Sequence, residues 1–243
     1  MLQFSIVEQV ILAVFLLSGI TFFLYHLLLR LKIVLKGKSD FSVDELPKRI
    51  IRVFDEVILH KKVVSGDRKS AGILHALVMY GFIFFGLITI NHFGMAFGFP
   101  IFSESFRHTY FLLFGAPWAI LCTIGILGLA YRRFVIKPEA LGKFSSTSAL
   151  VSVFIVTLMT TYLIDELHIL SGAAEKFNWW LHSGVIGGFL FLIPQSKHMH
   201  LVLSPFNIFL RPFEVPNHGA IPIDMEASEE ELDNLLLDLS RLS

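Results

Sequence analysis

Charge is what this sequence has least of. Of its 243 residues only 16% are Asp, Glu, Lys or Arg, against about 25% in an ordinary soluble domain. A water-exposed surface for a chain of this size needs more charge than that, so a soluble globular domain is excluded. Cysteine is almost absent. The single thiol, Cys122, excludes a disulfide scaffold, and it excludes an iron–sulfur cluster held by this chain alone, which needs about four thiolates. Net charge is also lacking: 20 basic and 20 acidic residues cancel, which excludes a strongly basic nucleic-acid binder. No repeat or low-complexity tract occurs, so disorder and collagen-like assembly are excluded as well. What remains is apolar. Hydrophobic residues make up 54% of the chain and phenylalanine alone occurs 25 times. This is the composition of an integral membrane protein.

The charges are missing in blocks. No Asp, Glu, Lys or Arg occurs over 9–29 (21 residues), 70–103 (34), 108–131 (24), 144–164 (21) or 177–196 (20). A helix needs about 20 residues to cross the hydrocarbon, and continuously apolar runs argue against alternating barrel strands. The expectation is an all-α integral membrane protein with five transmembrane helices, near 7–29, 71–94, 108–131, 146–168 and 177–196. The first span reads as a retained anchor, because it has no basic segment before it and no small-residue cleavage site after it.

Basic residues set the orientation. The segments 30–69, 132–143 and 197–243 hold 11, 4 and 3 of the 20 Lys and Arg; the other side holds only Arg107 and Lys176. Basic residues near span ends stay cytoplasmic, so the N-terminus is expected outside and the C-terminus inside, in a multi-pass protein of a prokaryotic-type cytoplasmic membrane. Two segments outside the spans have character. Residues 41–59 read as an amphipathic helix, with Leu46, Ile50, Phe54 and Val57 on one face, Pro47 in the first turn and Asp44 as cap. It suits either the membrane surface or the inner end of the bundle. The sequence divides into 1–218, the five-span domain, and an acidic tail, 219–243. In the tail Ser228 and Glu231 form a capping box, and Leu232, Leu235, Leu236, Leu239 and Leu242 form a stripe suited to a partner subunit.

Ten histidines are many for so apolar a chain, and an ionisable residue inside a span is a functional hypothesis by default. His75 lies one turn into the second span near the cytoplasmic side, and His92 lies at that span's outer end. His182 lies one turn into the fifth span from outside, with His198 and His200 at its exit. Antiparallel spans set His75 level with His198 and His200, and His92 level with His182. Two histidines at one depth on facing helices suit a bis-histidine haem. The expected axial pairs are His75/His200 and His92/His182, one or two haems b. Along a continuous helix, His182 and His200, 18 residues apart, would share a face, which favours His200 over His198. His108 and His168 are rivals for the outer ligand; His26, His60, His108 and His218 read as interfacial. Gly81, Gly86, Gly184, Gly187 and Gly188 leave room either for a flat porphyrin or for close helix packing. Arg68, Lys69, Lys197, His198 and Arg211 are candidate propionate contacts. Zinc or a proton relay is the competing use of buried histidine, but the five windows supply no carboxylate.

Three stretches carry a resemblance. RKSAGILHALVMYGFIFFGL resembles the His-bearing second span of the nitrate reductase gamma-subunit-like cytochromes b. YRRFVIKPEAL resembles the basic loop after the third span in that family's iron–sulfur-linked branch. WWLHSGVIGGFLFLIPQSKHMHLVLSPFN resembles its most specific motif, a span-opening His followed by a Pro-x-Ser-Lys-His-x-His exit. That branch is the membrane domain of heterodisulfide-reductase-related iron–sulfur oxidoreductases, and the resemblance covers roughly 45–225. It implies a cytochrome b that exchanges electrons with membrane quinone, with His75, His182 and His200 carried over as axial ligands. His92 departs from the pattern, being spaced further from His75. Many relatives continue into a cysteine-rich domain after a segment like AIPIDME; its absence here implies no iron–sulfur cluster on this chain and a separate cytoplasmic iron–sulfur or flavoprotein subunit, docked by the basic loop 30–69 and the tail 219–243. The other readings are a haem-free membrane anchor for a soluble oxidoreductase and, less favoured, a small transporter.

Overall fold

A computed structural model describes residues 2–34, 45–64, 69–211 and 213. Asp44, Arg68, His218 and the tail 219–243 lie outside the described residues. Among those described every regular element is helical. Four helical stretches are long and apolar enough to cross a membrane: Ile6–Ile33, Lys69–Ala96, Glu104–Ile136 and Ser146–Glu166. The first lies within α1 (Ile6–Val34), the second is α4 (Lys69–Ala96), and the fourth is α7 (Ser146–Glu166). The third joins α5 (Glu104–Tyr110) to α6 (Ala116–Tyr131) through a wide turn at Phe111–Gly115 and ends in another at Arg132–Ile136.

The fifth expected span coincides in part with α8 (Gly172–Leu192). It is 21 residues long, but Glu175, Lys176, Asn178 and His182 fall within its first eleven positions and Ser183 follows directly, and it is not among the four. It also ends earlier than expected. Pro194 lacks the amide that would continue the ladder; a short turn at Lys197–Met199 follows, and α9 (His200–Leu210) starts afresh. The continuous-helix argument that put His182 and His200 on one face is therefore corrected: they belong to different helices.

Side-chain contacts show how the helices run. At one end, Gln9 of α1 donates to the Ala96 carbonyl that closes α4 (3.0 Å), Lys176 of α8 pairs with Glu8 (2.7 Å), and Arg107 of α5 pairs with Glu166 at the end of α7 (3.2 Å). The other end holds the start of α4, the Arg132–Gly142 connection and α9; it is the basic end. Small residues let α4 and α6 approach closely. Gly81 faces Cys122, and a side chain at Gly125 would stand 2.8 Å from the Leu74 carbonyl oxygen. Gly187 and Gly188 of α8 receive the rings of Phe15 and Phe154, which knits α8 to α1 and α7. Outward faces stay apolar: Val7, Val10, Val14 and Leu17 of α1 are all exposed, and only 11% of that helix's most apolar window is buried. So much apolar surface is unsuited to water and suited to lipid.

At the basic end lies α2 (Leu46–Val53), continued by a wide turn at Phe54–Ile58. Its apolar stripe faces outward, with Ile50 and Phe54 exposed, while Arg49 is fully buried. Arg49 donates to the carbonyls of Phe209 (2.9 Å) and Arg211 (3.2 Å) and pairs with Glu45 (2.8 Å). Arg52 also donates to the Arg211 carbonyl and covers the Phe213 ring, and the Arg211 guanidinium pairs with Glu56. This clamp fastens α2 to the end of α9.

Candidate functional site

The described histidines gather at two depths. At the basic end the rings of His75 and His200 lie 6.0 Å apart, centre to centre, tilted by 36°. The His198 ring lies 6.3 Å from that of His200, and the His60 ring 5.9 Å from that of His75. The His200 Nδ1 donates to the Lys197 carbonyl (2.9 Å). A carbonyl can only accept, so Nδ1 carries a proton and, in the neutral ring, Nε2 carries a bare lone pair, the arrangement that prepares histidine as a metal ligand. His75 has a buried Nδ1 with no hydrogen-bond partner. His198 faces Ser196 (3.2 Å); burial, then Lys197, His200 and Arg133, hold its pKa down to about 4. His60, expected at an interface, is 5% exposed. The short turn before α3 (Lys61–Val64) packs on α4, where the Tyr80 hydroxyl donates to the Ile58 carbonyl.

At the opposite end the rings of His92 and His182 lie 5.0 Å apart. His92 stacks on Trp179 (4.7 Å, 14°), and its Nε2 meets the buried Ser183 hydroxyl (3.0 Å). The His182 Nδ1 meets the Thr161 hydroxyl at 2.7 Å. The Thr161 hydroxyl also lies 2.7 Å from the Thr157 carbonyl; with its proton directed there, its oxygen accepts from Nδ1–H and the neutral His182 ring presents a bare Nε2. Thr161 carries no signal in the sequence. It lies 21 residues before His182 in an apolar run, and only the packing of α7 on α8 reveals it. Asn178 locks the same spot by donating to the Thr161 carbonyl (2.9 Å).

A cavity of about 440 Å³ opens here, inside the range of about 300–1,000 Å³ usual for small-molecule sites. His92, His182, Trp179 and Tyr162 line it, together with the ionisable groups of Arg107, Glu166, Asp165 and His168. Its roof is the turn after α4, held by Asn91, whose carbonyl accepts from the amides of Ile101 and Phe102 (2.9 Å each). His168, held at φ +51°, thus reaches the cavity; His108 of α5 is not part of its lining.

The other sequence candidates are placed as follows. Lys69 opens α4 and is exposed; Lys197 stands near Arg133, which together with burial lowers its pKa. Arg211 is engaged by Glu56. Gly81 faces Cys122 and Gly188 faces Phe154, whereas side chains at Gly184 or Gly86 would meet open space. His26 packs on Phe22 and Tyr25 within α1. Among the described residues no group of three or more His, Cys, Asp or Glu is gathered closely enough to hold a metal ion.

The two histidine pairs differ in fitness for haem. Iron held by two imidazole nitrogens at about 2 Å each sets the ring centres about 6 Å apart. His75 and His200 fit that spacing, and His200 offers the free nitrogen. His92 and His182 do not fit as they stand, because the rings are too close and the His92 Nε2 is engaged.

Comparison with known proteins places this geometry in context. The chain is 30% identical over 233 residues to the "Probable iron-sulfur-binding oxidoreductase FadF" of Bacillus subtilis (strain 168), covering 79% of this chain and 31% of that protein. It is 23% identical over 260 aligned residues to the "EtfAB:quinone oxidoreductase" of Syntrophomonas wolfei, covering 89% of this chain and 35% of that protein. Both of these relatives are named as oxidoreductases. The chain spans about a third of the length of these curated relatives. Those names agree with the oxidoreductase part of the resemblance, and neither mentions nitrate reductase or a cytochrome b. No family model matches the chain, and no solved structure matches it.

Proposed function

We propose that the chain is a haem b-carrying membrane subunit of a quinone-linked oxidoreductase complex. It passes electrons between membrane quinone and a cytoplasmic iron–sulfur or flavoprotein partner. The observation that carries this reading is the His75–His200 pair, 6.0 Å apart, with the His200 Nε2 left bare by the Lys197 carbonyl. His75 and His200 would hold the iron, and the group would supply one-electron transfer when bound. Five crossings, with α8 as the fifth, and the basic end in the cytoplasm accord with the distribution of Lys and Arg. That end would face the partner.

The cavity at the opposite end suits the quinone ring. Trp179 and Tyr162 offer aromatic walls, and the bare His182 Nε2 can accept from a quinol hydroxyl. Oxidising a quinol there releases two electrons, which would pass one at a time to iron held by His75 and His200 and on to the partner, and two protons, which His182 Nε2 and the Glu166 and Asp165 carboxylates of the lining would take up and release to water. The test is the absorption spectrum of the purified chain, air-oxidised and then dithionite-reduced. Soret and α-band shifts are expected, and His75→Ala and His200→Ala should each abolish them. A chain with no such shift would be the haem-free anchor instead.

A further inference from the structure

We propose that His60 is a haem-positioning residue of the basic-end site, donating a hydrogen bond from Nδ1 to a carboxylate of the bound porphyrin. The inference rests on the haem reading above and goes beyond its ligand pair. Three observations converge on His60. Its side chain is about nineteen-twentieths buried, although it belongs to a connecting turn outside the long helices. Its Nδ1 is buried without a hydrogen-bond partner. Its backbone is held at φ +51°, the left-handed region that a side chain bearing Cβ rarely adopts and that persists where the surroundings impose it.

The surroundings are specific. The His60 ring lies 5.9 Å from the His75 ring and 5.8 Å from the Tyr80 ring, and the Tyr80 hydroxyl ties the preceding turn to α4 through the Ile58 carbonyl. A buried imidazole nitrogen without a partner calls for one. The adjacent His75 Nδ1 is also buried and unpartnered, so two neighbouring imidazoles are incomplete at one place. The proposed function pairs His75 with His200, whose Nε2 is left free by the Lys197 carbonyl, and His60 beside that ligand is then placed to meet the edge of the porphyrin. The polar edge of haem b carries its two propionates, and a carboxylate is an acceptor that matches an Nδ1–H donor.

The test uses the whole chain with its native haem. His60→Phe removes the donor, and His60→Gln keeps an amide donor. His60→Phe is expected to keep the low-spin spectrum of the wild type while the midpoint potential falls, because the propionate charge is no longer offset and favours ferric iron. His60→Gln is expected to restore most of that shift. Redox-difference infrared spectra should show propionate carboxylate bands displaced in the Phe variant and near their original place in the Gln variant; the Gln variant compared with wild type keeps the infrared test available if the Phe variant does not accumulate. Unchanged potential and unchanged bands overturn the proposal. Loss of the low-spin spectrum in both variants also overturns it, by making His60 an iron ligand. Absence of haem from the wild-type chain would defeat the reading on which the proposal rests, and is read independently of the variants.

Discussion

Thr161 decides which nitrogen His182 presents to the cavity, and removing its hydroxyl tests that role. Thr161→Val keeps the shape and deletes the oxygen that accepts from Nδ1–H at 2.7 Å. The Nδ1–H is then left without this partner in a buried place, or the proton moves to Nε2 and the bare lone pair is lost. A net hydrogen bond contributes about 0.5–1.5 kcal/mol, which is roughly 2- to 12-fold in a dissociation constant. The readout is saturable quenching of tryptophan fluorescence by a water-soluble menaquinone analogue, since Trp179 lines the cavity. Thr161→Val should weaken binding by that factor, and Thr161→Ser, which retains the hydroxyl, should return it to within about 2-fold. Equal binding by the Val variant and the wild type would refute the tautomer argument. A wild type with no saturable quenching would refute the quinone assignment of the cavity.

Other expectations follow from single contacts. Arg49→Met removes a buried guanidinium from the Phe209 and Arg211 carbonyls and from Glu45; a loss of about 3–5 kcal/mol should appear as a lower Tm in detergent and as faster tryptic cleavage near α2, and unchanged cleavage would contradict the clamp. Asn91→Leu strips the partner from the Ile101 and Phe102 amides, at about 1–3 kcal/mol for each group left unsatisfied; it should loosen the cavity roof and weaken quinone quenching, with hydrogen exchange at these amides as the direct measurement. Gly125→Val forces α4 and α6 apart at the Leu74 carbonyl and should cost about 1–3 kcal/mol in thermal unfolding. Gly86→Ala, with nothing within 4 Å, should be neutral or slightly stabilising, so equal damage by both changes would argue against glycine packing as the cause.

Much of the fold was legible in the chain. Windows free of charge marked the four helices long enough to cross a membrane because removing a charge from water is costly and continuous apolar runs avoid that cost. The end of α8 was less legible: Pro194 was visible, but whether a proline bends a helix or ends it depends on what packs around it. The amphipathic pattern at Leu46, Ile50 and Phe54 announced α2, yet not that its polar side would turn inward. That side is buried because Arg49 finds the last carbonyls of α9, a partner 160 residues away.

The sequence by itself determined composition class, the four apolar windows that became helices long enough to cross a membrane and the separation of basic residues to one end, since these depend on local solvation and on periodicity along the chain. Tertiary structure decided the chemistry. It brought His75 beside His200, gave His182 its tautomer through Thr161, engaged His92 with Ser183 and buried His60. Each of those outcomes depends on which atoms of distant helices meet, and hydrogen-bond direction is set only at that meeting.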